Sequence, residues 1–129
     1  MEELRMNLSW LSNPEIFQVN RLKAHSSHHY YANEEEKQSS LIHVLDGTWK
    51  FHYANALNEV IEGFEKESYD CSTWDDIQVP SHIQMQGYGT PMYVNQIYPW
   101  SGSEQLLPGE IPEHNPVGSY VTYFDSSIL

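Results

Sequence analysis

Hydrophobic and polar positions alternate most regularly over Thr48-Trp49-Lys50-Phe51-His52-Tyr53. Trp49, Phe51 and Tyr53 fall on one side and Thr48, Lys50 and His52 on the other. This period of two predicts a half-buried strand with its aromatic side inward. The turn pair Asp46-Gly47 leads into it, after the short apolar run Leu41-Ile42-His43-Val44-Leu45. Residues 119–124 are rich in β-formers and predict another strand. Residues 74–79 predict a shorter one ended by Pro80. Between them the period changes. Leu57, Val60, Ile61 and Phe64 stand at i, i+3, i+4 and i+7, which predicts a short helix over 55–64. Asn55 is its candidate N-cap, and Gly63 weakens its end. Residues 81–86 predict a single helical turn stopped at Gly87.

Proline punctuates the second half. Pro80, Pro91, Pro99, Pro108, Pro112 and Pro116 make residues 80–118 mostly loop and turn, because proline fixes φ and removes a backbone donor. A loop region that long in a compact domain is functional or docked against something else. Three or four strands and a short helix are few elements for 129 residues. A sheet of that size leaves edges and an apolar face uncovered. The expected class is all-β, an incomplete sandwich with long loops and one or two short helices.

Charge narrows the partners. Six Lys+Arg against eighteen Asp+Glu give a formal charge of −12. Phosphate backbones and anionic lipid surfaces are bound chiefly through Lys and Arg, so neither nucleic acid nor membrane is an expected partner. No apolar run is long enough to span a bilayer. Cys71 is the sole cysteine, which excludes an intrachain disulfide. No signal-peptide pattern follows Met1. The sequon Asn7-Leu8-Ser9 matters only in a secretory compartment, and a reducing cytoplasm is the expected location.

Several clusters could carry chemistry. His25 and His29 in His25-Ser26-Ser27-His28-His29 are four apart, a metal-compatible spacing on a helix. The serines and Tyr30-Tyr31 disfavour a helix there, and no third ligand stands at a recognised spacing, so no metal site is assigned. Asn33-Glu34-Glu35-Glu36-Lys37 reads as a solvated loop. Gly87-Tyr88-Gly89 reads as turn glycines rather than part of a dinucleotide fingerprint. Cys71 has no basic neighbour in sequence to activate it. The most site-like stretch is Pro91-Met92-Tyr93-Val94-Asn95-Gln96-Ile97-Tyr98-Pro99-Trp100. Amides and aromatic faces between prolines suit a sugar, whose hydroxyls pair with amides and whose C–H faces pack on rings. The same residues also suit a packed aromatic loop whose amide satisfies nearby backbone.

These residues, with others in the same order, resemble a known family. Asn13-Pro14, Val19-Asn20-Arg21-Leu22-Lys23-Ala24-His25, and Ser40-Leu41 with Leu45-Asp46-Gly47-Thr48-Trp49-Lys50-Phe51 are similar to the opening motifs of β-galactosidases of glycoside hydrolase family 2. Val79-Pro80-Ser81-His82-Ile83-Gln84-Met85-Gln86-Gly87-Tyr88-Gly89, Tyr93-Val94-Asn95, Tyr98-Pro99-Trp100 and Asn115-Pro116-Val117-Gly118-Ser119-Tyr120 continue in register. The likeness spans about residues 10–129 and is greatest to the large-subunit or single-chain enzymes of lactic acid bacteria.

The resemblance implies the start of an N-terminal sugar-binding domain, a jelly-roll β-sandwich of the galactose-binding type. It implies a parent enzyme that hydrolyses terminal β-galactosides such as lactose with retention. It implies that Asn95 contacts the galactose. Retaining hydrolysis needs two carboxylates roughly 5 Å apart. In this family both come from a later (β/α)₈ barrel, as do most ligands of the active-site magnesium and sodium. No catalytic or metal-binding residue is therefore assigned here. The first acidic ligand of a peripheral divalent-ion site known in some relatives would fall near Trp10 and is not carried over.

The expected organisation is an extended arm and loop over residues 1–39, then the truncated first part of the jelly roll over 40–129. The expected partners are the remaining β-galactosidase domains or a small subunit, in an oligomer. The favoured reading is an N-terminal fragment that supplies scaffold and one substrate-contacting loop. A stand-alone carbohydrate-binding module and a non-catalytic complementing piece are the alternatives.

Overall fold

The computed structural model describes residues 9–19, 21–35, 38–92, 95, 98, 100–125 and 127. Among them three strands form one antiparallel sheet: β1 (Gly47–Ala54), β2 (Asp75–Val79) and β3 (Val117–Val121), in the order β2-β1-β3. A single helical turn, α1 (Ser9–Ser12), and two 3₁₀ turns, Leu57–Glu59 and Ile83–Gln86, are the helical pieces. The chain is thus mostly strand and loop, as the all-β expectation requires.

β1 is the central strand. Its first half pairs with β2, from Gly47↔Val79 to Phe51↔Asp75. Its second half pairs with β3, from Lys50↔Val121 to Ala54↔Val117. Directly opposed residues share a face, so Phe51 lies with Trp49, Tyr53, Ile77 and Tyr120. Phe51 and Ile77 are each 1% exposed. Tyr88 covers this side from the loop after β2. Its ring meets Phe51 edge-on at 4.6 Å, and its hydroxyl donates to Asp75 Oδ2 at 2.8 Å. That bond, before burial or charge, holds the Tyr88 phenol above its ordinary pKa.

The opposite face corrects the expectation of a polar, solvent-facing side. Ala54 and Ser119 are buried there, and Lys50 and His52 are half-buried. The connection between β1 and β2 folds back over it. Trp74, buried, lies 5.3 Å from the His52 ring and against Phe64 and Tyr69. Lys50 passes beneath, donating to the Trp74 carbonyl at 3.3 Å and pairing with Asp76 across the strand at 2.8 Å. The aliphatic stem packs while the ammonium finds charge, the usual compromise for a partly covered lysine. Nδ1 of His52 is buried with no hydrogen-bond partner among the described residues.

Three local expectations are corrected. The helix over 55–64 contracts to Leu57–Glu59. Val60 is extended and Gly63 has φ +79°, both incompatible with continuing a helix. Asn55 is not a side-chain cap. Its backbone and side-chain nitrogens instead donate to Glu59 Oε2 at 2.9 and 3.3 Å. The last strand begins two residues earlier than the β-formers do and ends at Val121, because pairing with Ala54 and Tyr53 draws in Val117 and Gly118. The apolar run over residues 41–45 is exposed. The turn at Ile83–Gln86 is as expected and ends on Gly87 with φ +96°.

Candidate functional site

The segment between Pro91 and Trp100 stands outside the sheet. Asn95 is exposed on a bend. Its motif partners Tyr93 and Val94 lie outside the described residues, as do Gln96, Ile97, Pro99 and the earlier motif residue Asn20. The rings of Tyr98 and Trp100 stack, with centroids 5.5 Å apart and planes within 6°. Tyr98 is 70% exposed and Trp100 is 36% exposed, so the pair presents aromatic surface to solvent rather than to a core. A packed aromatic loop would hide it. An exposed amide three and five residues from an exposed stack suits a ligand with alternating hydroxyl and C–H surface.

The backbone around the stack is closely tied. The Trp100 carbonyl accepts from the backbone nitrogens of Ser103 at 3.1 Å and Glu104 at 3.0 Å, and from Ser103 Oγ at 2.9 Å. The Tyr98 carbonyl accepts from the Ser101 nitrogen at 3.0 Å. The half-buried Glu104 then spans the next loop. Its Oε2 accepts from the Glu113 nitrogen at 2.8 Å and its Oε1 from the His114 nitrogen at 3.0 Å. The His114 bond first, then the Glu113 bond, holds this carboxyl below its ordinary pKa. Glu110 makes a smaller closure, accepting from the Leu107 nitrogen at 2.8 Å. Asn115 and Pro116 separate these residues from β3, so Glu104 ties the exposed loop to the segment that approaches the sheet.

Sequence patterning did not single out Glu104. It stands in Ser101-Gly102-Ser103-Glu104 with no periodicity around it, and only the fold brings it to residues 113 and 114. The proline spacing was the available signal, since a loop so punctuated needs internal ties.

The other candidates do not converge. His25, His28 and His29 lie on exposed chain, with His25 Nδ1 2.7 Å from the Lys23 carbonyl. Among the described residues no three His, Cys, Asp or Glu side chains gather as a metal site would require. Asn33 Oδ1 accepts from the Glu35 nitrogen at 2.9 Å in an exposed turn, while Glu36 and Lys37 lie outside the described residues. Cys71 is buried, its sulfur 3.5 Å from the Tyr123 hydroxyl, and that contact holds the Tyr123 phenol above its ordinary pKa. A concavity of about 350 Å³ lies between residues 43–49 and 122–125, closed at one corner by Trp49 Nε1 donating to the Leu45 carbonyl at 2.8 Å. Asn95 does not line it. No helix of the described residues is long and apolar enough to cross a membrane.

The chain is similar to known proteins over most of its length. A β-galactosidase of Halalkalibacterium halodurans is 55% identical over 92% of this chain, and one of Lactobacillus delbrueckii subsp. bulgaricus is 43% identical over 92%. A β-galactosidase large subunit of Leuconostoc lactis is 40% identical over 95%. The chain spans 12% of the length of the first two and 22% of the third. Residues 42–127, which hold the whole sheet and the loop from Pro91 to Glu104, match the family described as "Glycosyl hydrolases family 2, sugar binding domain". The chain therefore belongs to glycosyl hydrolase family 2, within the family of its sugar-binding domain.

Proposed function

We propose that this chain is the N-terminal sugar-binding part of a β-galactosidase that removes terminal non-reducing β-D-galactose from substrates such as lactose. The observation that carries the reading is the family match over residues 42–127, together with β-galactosidases similar over nearly the whole chain. In this reading the three described strands belong to a jelly-roll sandwich whose other strands lie elsewhere in the enzyme. Residues 1–39 are its arm, and residues 40–129 are its first part. The loop carrying Asn95 reaches the active site from outside the catalytic domain. The Asn95 amide offers a donor and an acceptor to adjacent sugar hydroxyls, which orients galactose before bond cleavage. Chemistry falls to a carboxylate pair held elsewhere.

Magnesium and sodium belong to the complete enzyme in this reading. The described residues gather no acidic or histidine cluster to hold a divalent ion, so no step here runs through one. The partner is the rest of the enzyme, either on one chain or as a separate subunit. Relatives named as large subunits support the second arrangement. The location is the cytoplasm, where intracellular lactose would be met.

Two measurements on a chromogenic β-galactoside test the proposal. The complete protein carrying this segment should hydrolyse it with retention, and the 129-residue chain alone should not exceed a no-protein blank. A complete protein without β-galactosidase activity would overturn the reading, and turnover by the isolated chain would overturn the division of labour within it.

A further inference from the structure

We propose that Glu104 is a positioning residue for the sugar-contacting loop: it pins the Trp100 end of that loop to the approach of β3 and so sets where Asn95 stands. This rests on the reading of Asn95 given above.

Three observations carry it. Both carboxylate oxygens of Glu104 are engaged, and by consecutive backbone nitrogens, Glu113 and His114, at 2.8 and 3.0 Å. Two charge-assisted bonds to adjacent amides fix a carboxylate in direction as well as distance. The Glu104 backbone nitrogen donates at the same time to the Trp100 carbonyl at 3.0 Å, beside the two Ser103 bonds to that oxygen. One residue therefore holds Trp100 on one side and residues 113 and 114 on the other. The third observation is where those ends lead. Residues 113 and 114 run into Val117, which is in register with Ala54 of the central strand. Trp100 stacks on Tyr98, three residues from Asn95.

Tyr98 and Asn95 are exposed, and neither carries a side-chain hydrogen bond among the described residues. Removing the carboxylate leaves two backbone nitrogens to water and unties the Trp100 turn from residues 113 and 114. A displacement of about 1 Å in a substrate-positioning group can cost up to a hundredfold in rate. Glu104 touches no sugar in this scheme and acts through Asn95.

A double-mutant cycle in the complete β-galactosidase tests this, with kcat and KM for lactose as readouts. Glu104→Ala should lower kcat/KM by about ten- to a hundredfold. Glu104→Gln, which keeps one acceptor oxygen, should recover part of the loss. In an Asn95→Ala background, Glu104→Ala should cost less than about threefold more, because the group it positions is already gone. A full, additive loss in that background would overturn the proposal, as would an unchanged kcat/KM for Glu104→Ala in an otherwise wild-type enzyme. If Asn95→Ala alone has no effect, the reading of Asn95 fails and this proposal fails with it. If Asn95→Ala is impaired and Glu104→Ala is not, only the proposal about Glu104 fails.

Discussion

Adding one methyl group at Gly118 should destabilise the sheet through Phe51. A Cβ built at Gly118 would lie 2.8 Å from Phe51 Cε2, 3.2 Å from Phe51 Cζ and 3.3 Å from Tyr120 Cε2. The first contact is about 0.7 Å inside the ~3.5 Å at which two carbons pack comfortably. Phe51 has little room to yield, because Tyr88 and Tyr120 hold its ring at 4.6 and 4.8 Å. Overpacking of this kind costs about 1–3 kcal/mol. Lower unfolded-state entropy on Gly→Ala returns about 0.4–1 kcal/mol. The net expectation for Gly118→Ala is a loss of about 1–2 kcal/mol. With a urea m-value near 1–2 kcal/mol per M for a domain this size, the unfolding midpoint should fall by about 1 M. Tryptophan fluorescence would follow it, since Trp74 is buried on the same sheet. Phe51→Leu removes both of the closest ring atoms, so the added cost of Gly118→Ala in that background should fall by about half. An unchanged or raised midpoint for Gly118→Ala at constant m would refute the packing account, and so would strict additivity with Phe51→Leu.

Three further outcomes are expected. Tyr88→Phe loses the bond to Asp75 and should cost about 1 kcal/mol in the same urea experiment; no change would mean that water replaces the bond without cost. Glu104 has a depressed pKa in the folded chain, so its contribution to holding the loop is complete above the ordinary glutamate pKa and is lost as pH falls through the lower folded value. The Glu113 and His114 amide signals should titrate together in that acid range, and a midpoint at or above the ordinary value would contradict the two bonds. Sedimentation velocity of the isolated chain should show more association as salt rises, because salt screens a formal charge of −12 while exposed apolar residues such as Phe17, Leu22 and Leu107 remain. A chain that stays monomeric at every salt concentration would contradict this.

The central strand was legible because alternation over six residues is a local signal, and Phe51 is buried where that signal places it. The covering of its other face was not legible. Lys50 and His52 read as solvent-facing by type, and Trp74 reaches them from two dozen residues away. The helical spacing of Leu57, Val60, Ile61 and Phe64 misled for a local reason, since the backbone turns away at Val60 and Gly63. Gly118 illustrates the limit of propensity. Glycine is depleted in strands, yet here only glycine leaves room for Phe51, and the register with Tyr53 places it inside β3. In the candidate site, Asn95, Tyr98 and Trp100 could be marked from residue type and proline spacing. Glu104 could not, because its partners are nine and ten residues away and are backbone groups without a sequence signature.

In the proposed function this chain brings a sugar-contacting amide to a β-galactosidase. The most direct test of this is kcat/KM for lactose in the complete enzyme carrying Asn95→Ala, compared with wild type. Loss of a polar contact in a desolvated sugar site should raise the barrier by about 2–3 kcal/mol, a fall of roughly thirty- to a hundred-and-fifty-fold. An unchanged kcat/KM in a folded, fully assembled mutant would contradict the claim.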